Sequence, residues 1–326
     1  MLRAAGSLAS LFALSGCAGL AATGARFDAS GLATDPTLLV ATTRKAANPT
    51  LSKPWFGPER ASAMSVARLR LTPPSDSRLS LAAAVGLDDW RIDRLERVAK
   101  VGDLFAPAAG ARDVLIYVHG FNQTFETAAL DAARLSDGIR FRGETMAFAW
   151  PSRAKLFDYG YDRESAMWSR DALQEVLDGL LASPSVGRIH VVAHSIGTML
   201  TMEALRQLYA RHGDAVAERI GAVVFASPDV DMDVFSSSVG RIGPLAPKIT
   251  MITATNDRAL ALSGWMAGGV TRVGAAHKAE LTRLGLRVID ASEQGRGLIN
   301  HDLFLSNAGI RQVIRNAVDG RPQAGL

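Results

Sequence analysis

The stretch Val191–Leu200 reads VVAHSIGTML. One apolar run ends at Ala193, another begins at Ile196, and His194, Ser195 and Gly197 stand at the join. If a buried strand gives way to a helix here, Ser195 lies at the turn. A serine in that place can cap the helix by accepting from its first amides, or it can be a nucleophile raised above the end of a sheet. The spacing Ala193-x-Ser195-x-Gly197 fits the elbow G-x-S-x-G with alanine in the first glycine place. Small residues on either side of the serine let strand and helix approach closely. A serine hydroxyl needs a base to become a nucleophile, and the base needs an orienting acid, so the rest of the chain has to distinguish the two readings.

Working outward, short apolar runs recur at Leu38–Thr42, Val66–Leu71, Val114–Val118, Thr145–Trp150, Ile189–Ala193, Ala222–Ala226, Ile249–Thr253 and Leu286–Asp290. Pro73-Pro74 stops the second of them. Helical periodicity is best at Phe125–Gly138, Asp162–Ala182 and Ile196–His212. KPWFGPER (53–60) reads as a loop, and Trp90–Val98 favours a helix. Continuous apolar strands alternating with amphipathic helices predict an α/β fold, a mostly parallel central sheet with helices on both faces. Ligand sites in such sheets lie beyond the carboxyl ends of the strands. Here those ends carry HGFN (119–122), Pro151-Ser152, His194-Ser195, SPD (227–229), Asn256-Asp257 and the segment around His301.

Where this elbow occurs, the chain order is Ser, then Asp or Glu, then His. Only His212, His277 and His301 follow Ser195. His212 ends the helix after the elbow and suits a C-terminal cap, and His277 lies in a Gly/Ala/Lys segment expected to be exposed. His301 follows the last strand, from where an imidazole returns over the elbow, and it is the expected base. The acid is Asp257, after the next-to-last strand, with Asp229 one strand earlier as the alternative; either is also a good helix N-cap. His194, beside the nucleophile, is expected to point away from the hydroxyl. The oxyanion donors are expected to be the amides of Ile196 and Phe121, with Gly120 letting the backbone come close. His119 has no partner at metal-ligand spacing and is assigned to the loop; no metal or organic cofactor is expected.

Tyr159 and Tyr161 lie in YGYDRE (159–164), ahead of a long helix. They are candidates for a substrate loop, although a simple helix start, with acids at its amino end, explains the segment as well. The 326 residues carry 36 basic and 32 acidic side chains, scattered without a dense basic run, and aromatics are 6%. Nucleic-acid binding therefore has little support. Ala4–Ser15 is an apolar stretch too short to span a bilayer. It runs into Leu14-Ser15-Gly16-Cys17, which resembles the bacterial lipoprotein signal, and Cys17 is the one cysteine in the chain. The expectation is a signal peptide at 1–16, a lipidated tether at 17–36 and one α/β domain at 37–320. Ala18, rather than aspartate, after the cysteine leans toward the outer membrane, facing the periplasm.

VHGFNQTFETAA, FAWPS, YDRESA, HVVAHSIGT, ASPDVD and TNDRALALS together resemble a bacterial family of α/β-hydrolases of unknown function, of esterase and lipase type. The likeness runs over about residues 36–318. It implies the triad Ser195, Asp257 and His301, with Phe121 and Ile196 as oxyanion donors, and it supplies no substrate. The expected function is a membrane-anchored serine hydrolase acting on a small-molecule or lipid ester through an acyl-enzyme. An acyltransferase or thioesterase with the same triad, or a scaffold lipoprotein that keeps only the fold, are the alternatives.

Overall fold

Val114, Ile116 and Val118 enter one hydrophobic cluster while Leu115 and Tyr117 enter another. That period of two is what a strand covered on both faces requires. The computed structural model describes residues 36–48, 53–74, 89–105, 110–294 and 301–322. Its strands are β1 (Thr37–Ala46), β2 (Phe56–Thr72), β3 (Arg91–Val98), β4 (Arg112–Val118), β5 (Glu144–Ala149), β6 (Val186–His194), β7 (Ile220–Ala226), β8 (Ile249–Thr253) and β9 (Arg287–Asp290). They form one sheet in the order β3-β2-β1-β5-β4-β6-β7-β8-β9. From β1 to β9 neighbouring strands are parallel, and β2 and β3 add an antiparallel edge. The expected α/β fold, mostly parallel, is the one observed.

The helices are α1 (Phe125–Gly138), α2 (Tyr159–Trp168), α3 (Arg170–Ala182), α4 (Ile196–His212), α5 (Ala215–Arg219), α6 (Met232–Val239), α7 (Arg258–Met266), α8 (Lys278–Arg283), α9 (Leu303–Ser306) and α10 (Ala308–Val318). On one face of the sheet Phe125, Phe304, Ile310 and Ile314 bring α1, α9 and α10 into a single core. On the other, Leu173, Val176, Leu200 and Phe235 do the same for α3, α4 and α6.

Strand β4 lies at the centre. The chain leaves it for β5 on one side, and β6 lies on the other. The crevice beyond the carboxyl ends of β4 and β6 is thus the topological switch point, where such sheets bind ligands. His119-Gly120-Phe121 and His194-Ser195-Ile196 meet there.

Three local expectations are corrected. Trp90–Val98 is not helical: β3 occupies it, with Ile92 and Leu95 buried. Their spacing of three mimics a helix, but the register passes from Arg70↔Arg94 to Leu71↔Ile92. The bulge at Asp93 absorbs one residue and returns both side chains to the same face. KPWFGPER is not all loop, because β2 begins at Phe56 and pairs Phe56 with Ala46 and Arg60 with Arg44 across irregular register. Pro58 is tolerated beside such irregularities, and Phe56 packs tilted on Phe125 at 4.7 Å. The helix expected over Asp162–Ala182 is two helices that meet at Ser169, whose hydroxyl donates back to the Ser165 carbonyl (2.8 Å) and meets Thr43 of β1 (2.9 Å). The signal peptide, Cys17 and all but the last residue of the tether lie outside the described residues.

Candidate active site

Ser195 joins β6 to α4 with φ 52° and ψ −123°, a conformation that costs a non-glycine residue of order 1–3 kcal/mol. Its neighbours impose it. The Ser195 amide donates to the Ala226 carbonyl (3.0 Å) at the end of β7, and its carbonyl accepts from the amides of Thr198 (3.0 Å) and Asp229 (3.2 Å). The side chain makes no capping hydrogen bond to α4, so the residue occupies the cap position without acting as a cap.

Close approach explains the two glycines. A Cβ on Gly197 would overlap the His119 carbonyl oxygen and stand 2.8 Å from that of Val118; one on Gly120 would meet His194 Nδ1 at 2.8 Å and Ser195 Cβ at 2.9 Å. Gly197→Ala is therefore expected to destabilise the fold by about 1–3 kcal/mol or more, read as a lowered urea midpoint, because backbone and not a flexible side chain blocks it.

The loop after β4 is braced from below. His119 is buried, stacks on Trp150 at 4.5 Å and places Nδ1 2.8 Å from the Gly120 carbonyl and Nε2 3.0 Å from the Trp150 carbonyl. Trp150 Nε1 donates to the His119 carbonyl (2.8 Å). Burial, with the Arg44 charge, holds the His119 pKa down to about 3. The ring is thus neutral and donates to only one of its two carbonyls. Asn122 has φ 61°, and its amide meets Asp162 Oδ2 at 3.4 Å, while the Gln123 amide donates to Ser152 Oγ (3.1 Å). Buried Arg44 donates to the carbonyls of Gln123 (2.7 Å) and Ser152 (3.1 Å), and Ser152 Oγ donates to Asp162. Burial pulls Arg44 down to about 10 against the attraction of Asp162 and Glu126, which leaves it cationic at neutral pH. Phe121, the expected donor, presents its ring edge-on to Tyr159 at 5.5 Å. Ile196 opens α4, where the first amides have no partner within the helix.

His301 and Asp257 are brought together. His301 Nδ1 lies 2.7 Å from Asp257 Oδ2. The other oxygen of Asp257 accepts from the amides of Ala259 (3.0 Å) and Leu260 (3.2 Å), capping α7. Burial pushes the His301 imidazole down, but the Asp257 hydrogen bond and charge, aided by Asp229 and Asp302, outweigh it and leave the pKa above the ordinary histidine value. His194 Nε2 faces the His301 carbonyl at 2.9 Å, and the two rings lie 4.7 Å apart. Burial, then the His301 charge, hold His194 well below the usual range. His194 is thus a neutral donor at the elbow that holds His301 by its backbone.

Asp229 is occupied elsewhere. It forms a buried ion pair with Arg272 (3.1 Å), accepts from Ser263 Oγ (2.7 Å) and accepts from Tyr159 Oη (2.8 Å). Burial first, then the Asp229 charge, hold the Tyr159 phenol up to about 12. Asp229→Ala would leave Arg272 buried without its counter-ion, and is expected to lower stability by about 3–5 kcal/mol in chemical unfolding. Tyr161 faces another way: its hydroxyl donates to the Pro58 carbonyl (3.1 Å), and Arg153 and Arg60 lie over its ring at 3.8 and 4.9 Å. Of the two tyrosines, Tyr159 is the one set against the loop that carries Phe121. His212 closes α4 and pairs with Asp178 (2.7 Å), and His277 is exposed.

Residues 105–317 match the sequence model of a family described as "Alpha/beta hydrolase of unknown function (DUF900)". The chain belongs to that family. A curated relative, the uncharacterized protein alr1448 of Nostoc sp., is 35% identical over 129 residues, which cover 32% of this chain and 34% of the relative. The chain thus matches about a third of the length of that protein. Among solved structures, Thermogutta terrifontis esterase 2 is 13% identical with a TM-score of 0.37, covering 78% of this chain and 86% of its own. An esterase of Pyrobaculum calidifontis is 12% identical with a TM-score of 0.37, covering 79% and 82%. In this α/β-hydrolase, sequence reasoning missed Arg44, Asp162, Ser263 and Arg272, and it placed Ser152 at a strand end without finding its partner Asp162. The available signal was charge out of place: an arginine directly after the apolar run of β1 and an aspartate on the buried side of α2.

Proposed function

We propose that this α/β-hydrolase cleaves carboxylic esters with Ser195 as nucleophile, His301 as base and Asp257 as the acid that orients it. The observation that carries this reading is the bond from His194 to the His301 carbonyl. The residue next to Ser195 grips the backbone of the histidine whose ring is held by Asp257. With Nδ1–H donated to Asp257, the His301 Nε2 has a free lone pair for the serine proton.

Ser195 Oγ attacks the ester carbon as His301 Nε2 takes its proton. The oxyanion forms against the Phe121 and Ile196 amides, where losing one donor typically costs about 10²–10³ in turnover. His301 then returns the proton to the departing alkoxide, leaving an acyl-Ser195. Water, deprotonated by the same imidazole, attacks the acyl carbon and releases the acid. The chemistry draws on no metal or organic cofactor. By the lipoprotein-type signal, the protein is tethered through Cys17 in the bacterial envelope, at the outer membrane facing the periplasm.

Labelling with a fluorophosphonate probe, followed by acyl-ester turnover with an alcohol competing against water, tests the reading. Labelling at Ser195 with acid as the main product supports it. Ester as the main product points to a transferase, and a folded protein that is never labelled points to a scaffold.

A further inference from the structure

Helix α7 has its apolar side reversed. Leu262, Trp265 and Met266, spaced i, i+3 and i+4, share one face. They are 49%, 76% and 46% exposed, while Leu260, Ser263 and Gly264 are buried on the other side. The chain then turns back on the helix, the Gly269 amide donating to the Gly264 carbonyl (2.9 Å), and presents Val270, also exposed. A second apolar prominence is Phe157, 97% exposed in the turn before α2.

Both prominences belong to the rim around Ser195. Tyr159, two residues after Phe157, and Ser263 of α7 bind the same carboxylate, Asp229, whose amide is bonded to the Ser195 carbonyl. The acid Asp257 caps α7 itself. Charge follows the same surface. Arg258 and Lys278 are exposed, and no acidic residue occurs between Asp257 and Glu280. At the other prominence Lys155 lies two residues before Phe157, and Asp158, directly after it, is paired with Arg153.

We propose that this rim docks on an anionic lipid surface, and that the ester cleaved at Ser195 is carried by a membrane lipid. The substrate assignment rests on the hydrolase reading above; the docking does not. A tryptophan and aliphatic side chains edged by cations make the composition of an interfacial helix, and at nine residues, or about 13 Å, α7 lies on a bilayer and does not cross it. The chain outside the described residues permits this orientation. β1 runs parallel to β4 and β6, and the registers set Thr37 level with Ile189 of β6. Thr37 therefore starts toward the edge opposite Ser195, about 20 Å from it along the strand direction at roughly 3.3 Å per residue. Residues 17–36 reach at most about 65–70 Å when extended, enough for a chain held at Cys17 to turn its carboxyl rim to the same membrane.

The test is flotation of full-length protein carrying Cys17→Ser on mixed phosphatidylethanolamine–phosphatidylglycerol vesicles, against the same chain with Leu262→Glu and Trp265→Glu. Both side chains already stand in solvent, so the melting temperature should hold while vesicle binding falls at least about tenfold. Brominated lipid should quench part of the tryptophan fluorescence of the parent, and Trp265→Phe, which keeps the face apolar, should remove that quenched part while the other four tryptophans still emit. Ser195→Ala should float like the parent. Equal flotation of parent and double variant, or no quenching of Trp265, overturns docking. So does a parent that forms a dimer on this face, which the double variant dissociates, without binding vesicles. Docking in a protein that is never labelled at Ser195 keeps the surface and removes the lipid ester as substrate; labelling without docking keeps the hydrolase and removes both the surface and the lipid ester.

Discussion

Replacing Ser195 with alanine is expected to lower ester turnover by roughly 10⁶, about 8 kcal/mol of transition-state stabilisation, and to abolish fluorophosphonate labelling, while the protein stays folded. The structural reason for the second half is specific. The Ser195 side chain makes no capping bond, and its backbone is held by the Ala226 carbonyl and by the amides of Thr198 and Asp229, none of which alanine disturbs. Were the serine only a helix cap, the same change would cost about 0.5–2 kcal/mol of stability and spare turnover. Thermal unfolding and p-nitrophenyl ester hydrolysis, measured on one preparation, separate these outcomes. Ser195→Gly extends the comparison. Glycine adopts φ 52° without steric penalty, so it should match or exceed the parent in melting temperature and be equally inactive. Turnover near the parent rate in the alanine variant would remove Ser195 from the mechanism.

Legibility in the sequence divides by the range of the interactions involved. Helix α1 was readable to the residue because its start is a local matter: the Thr124 hydroxyl accepts from the Thr127 amide and the Thr127 hydroxyl returns the bond. The elbow, the base and the acid were legible as candidates because chain order and strand ends are read along the sequence. Strand β3 was not, because its bulge at Asp93 exists only opposite Arg70 and Leu71 of another strand. The brace under the loop of Phe121 was illegible for the same reason. Arg44, Gln123, Ser152 and Asp162 come from β1, the loop after β4, the loop after β5 and α2, and no spacing links them until the sheet is assembled. FAWPS and YDRESA were visible as motifs, yet their chemistry is a contact between Ser152 and Asp162 that neither motif contains alone. His194 was read as turned away from the work of its neighbour. Its Nε2 is instead engaged with the His301 carbonyl, so it grips the backbone of the residue proposed to be the base.

Asp257→Asn is expected to lower kcat by roughly 10⁴, by analogy with the same change in other serine triads, with little loss of fold. Asparagine keeps a carbonyl oxygen for the amides of Ala259 and Leu260, so the cap of α7 survives. Its amide, however, turns a donor toward His301 Nδ1 and stabilises the tautomer protonated at Nε2, the nitrogen that must receive the serine proton. The pH dependence follows from the raised His301 pKa. In the parent, activity appears as pH rises through a value above the ordinary 6.5 or so, since the base must be neutral. Without the Asp257 charge, burial dominates, and the acid limb of kcat/KM should move to lower pH as the plateau falls. Stability runs the other way. A group whose folded pKa is raised stabilises fully below its unfolded value and loses that contribution as pH passes the folded one. The stability difference between parent and Asp257→Asn should therefore be larger at pH 5.5 than at pH 8.5 in urea titrations. A plateau that falls with an unmoved acid limb would mean that Asp257 caps its helix and does not set the base.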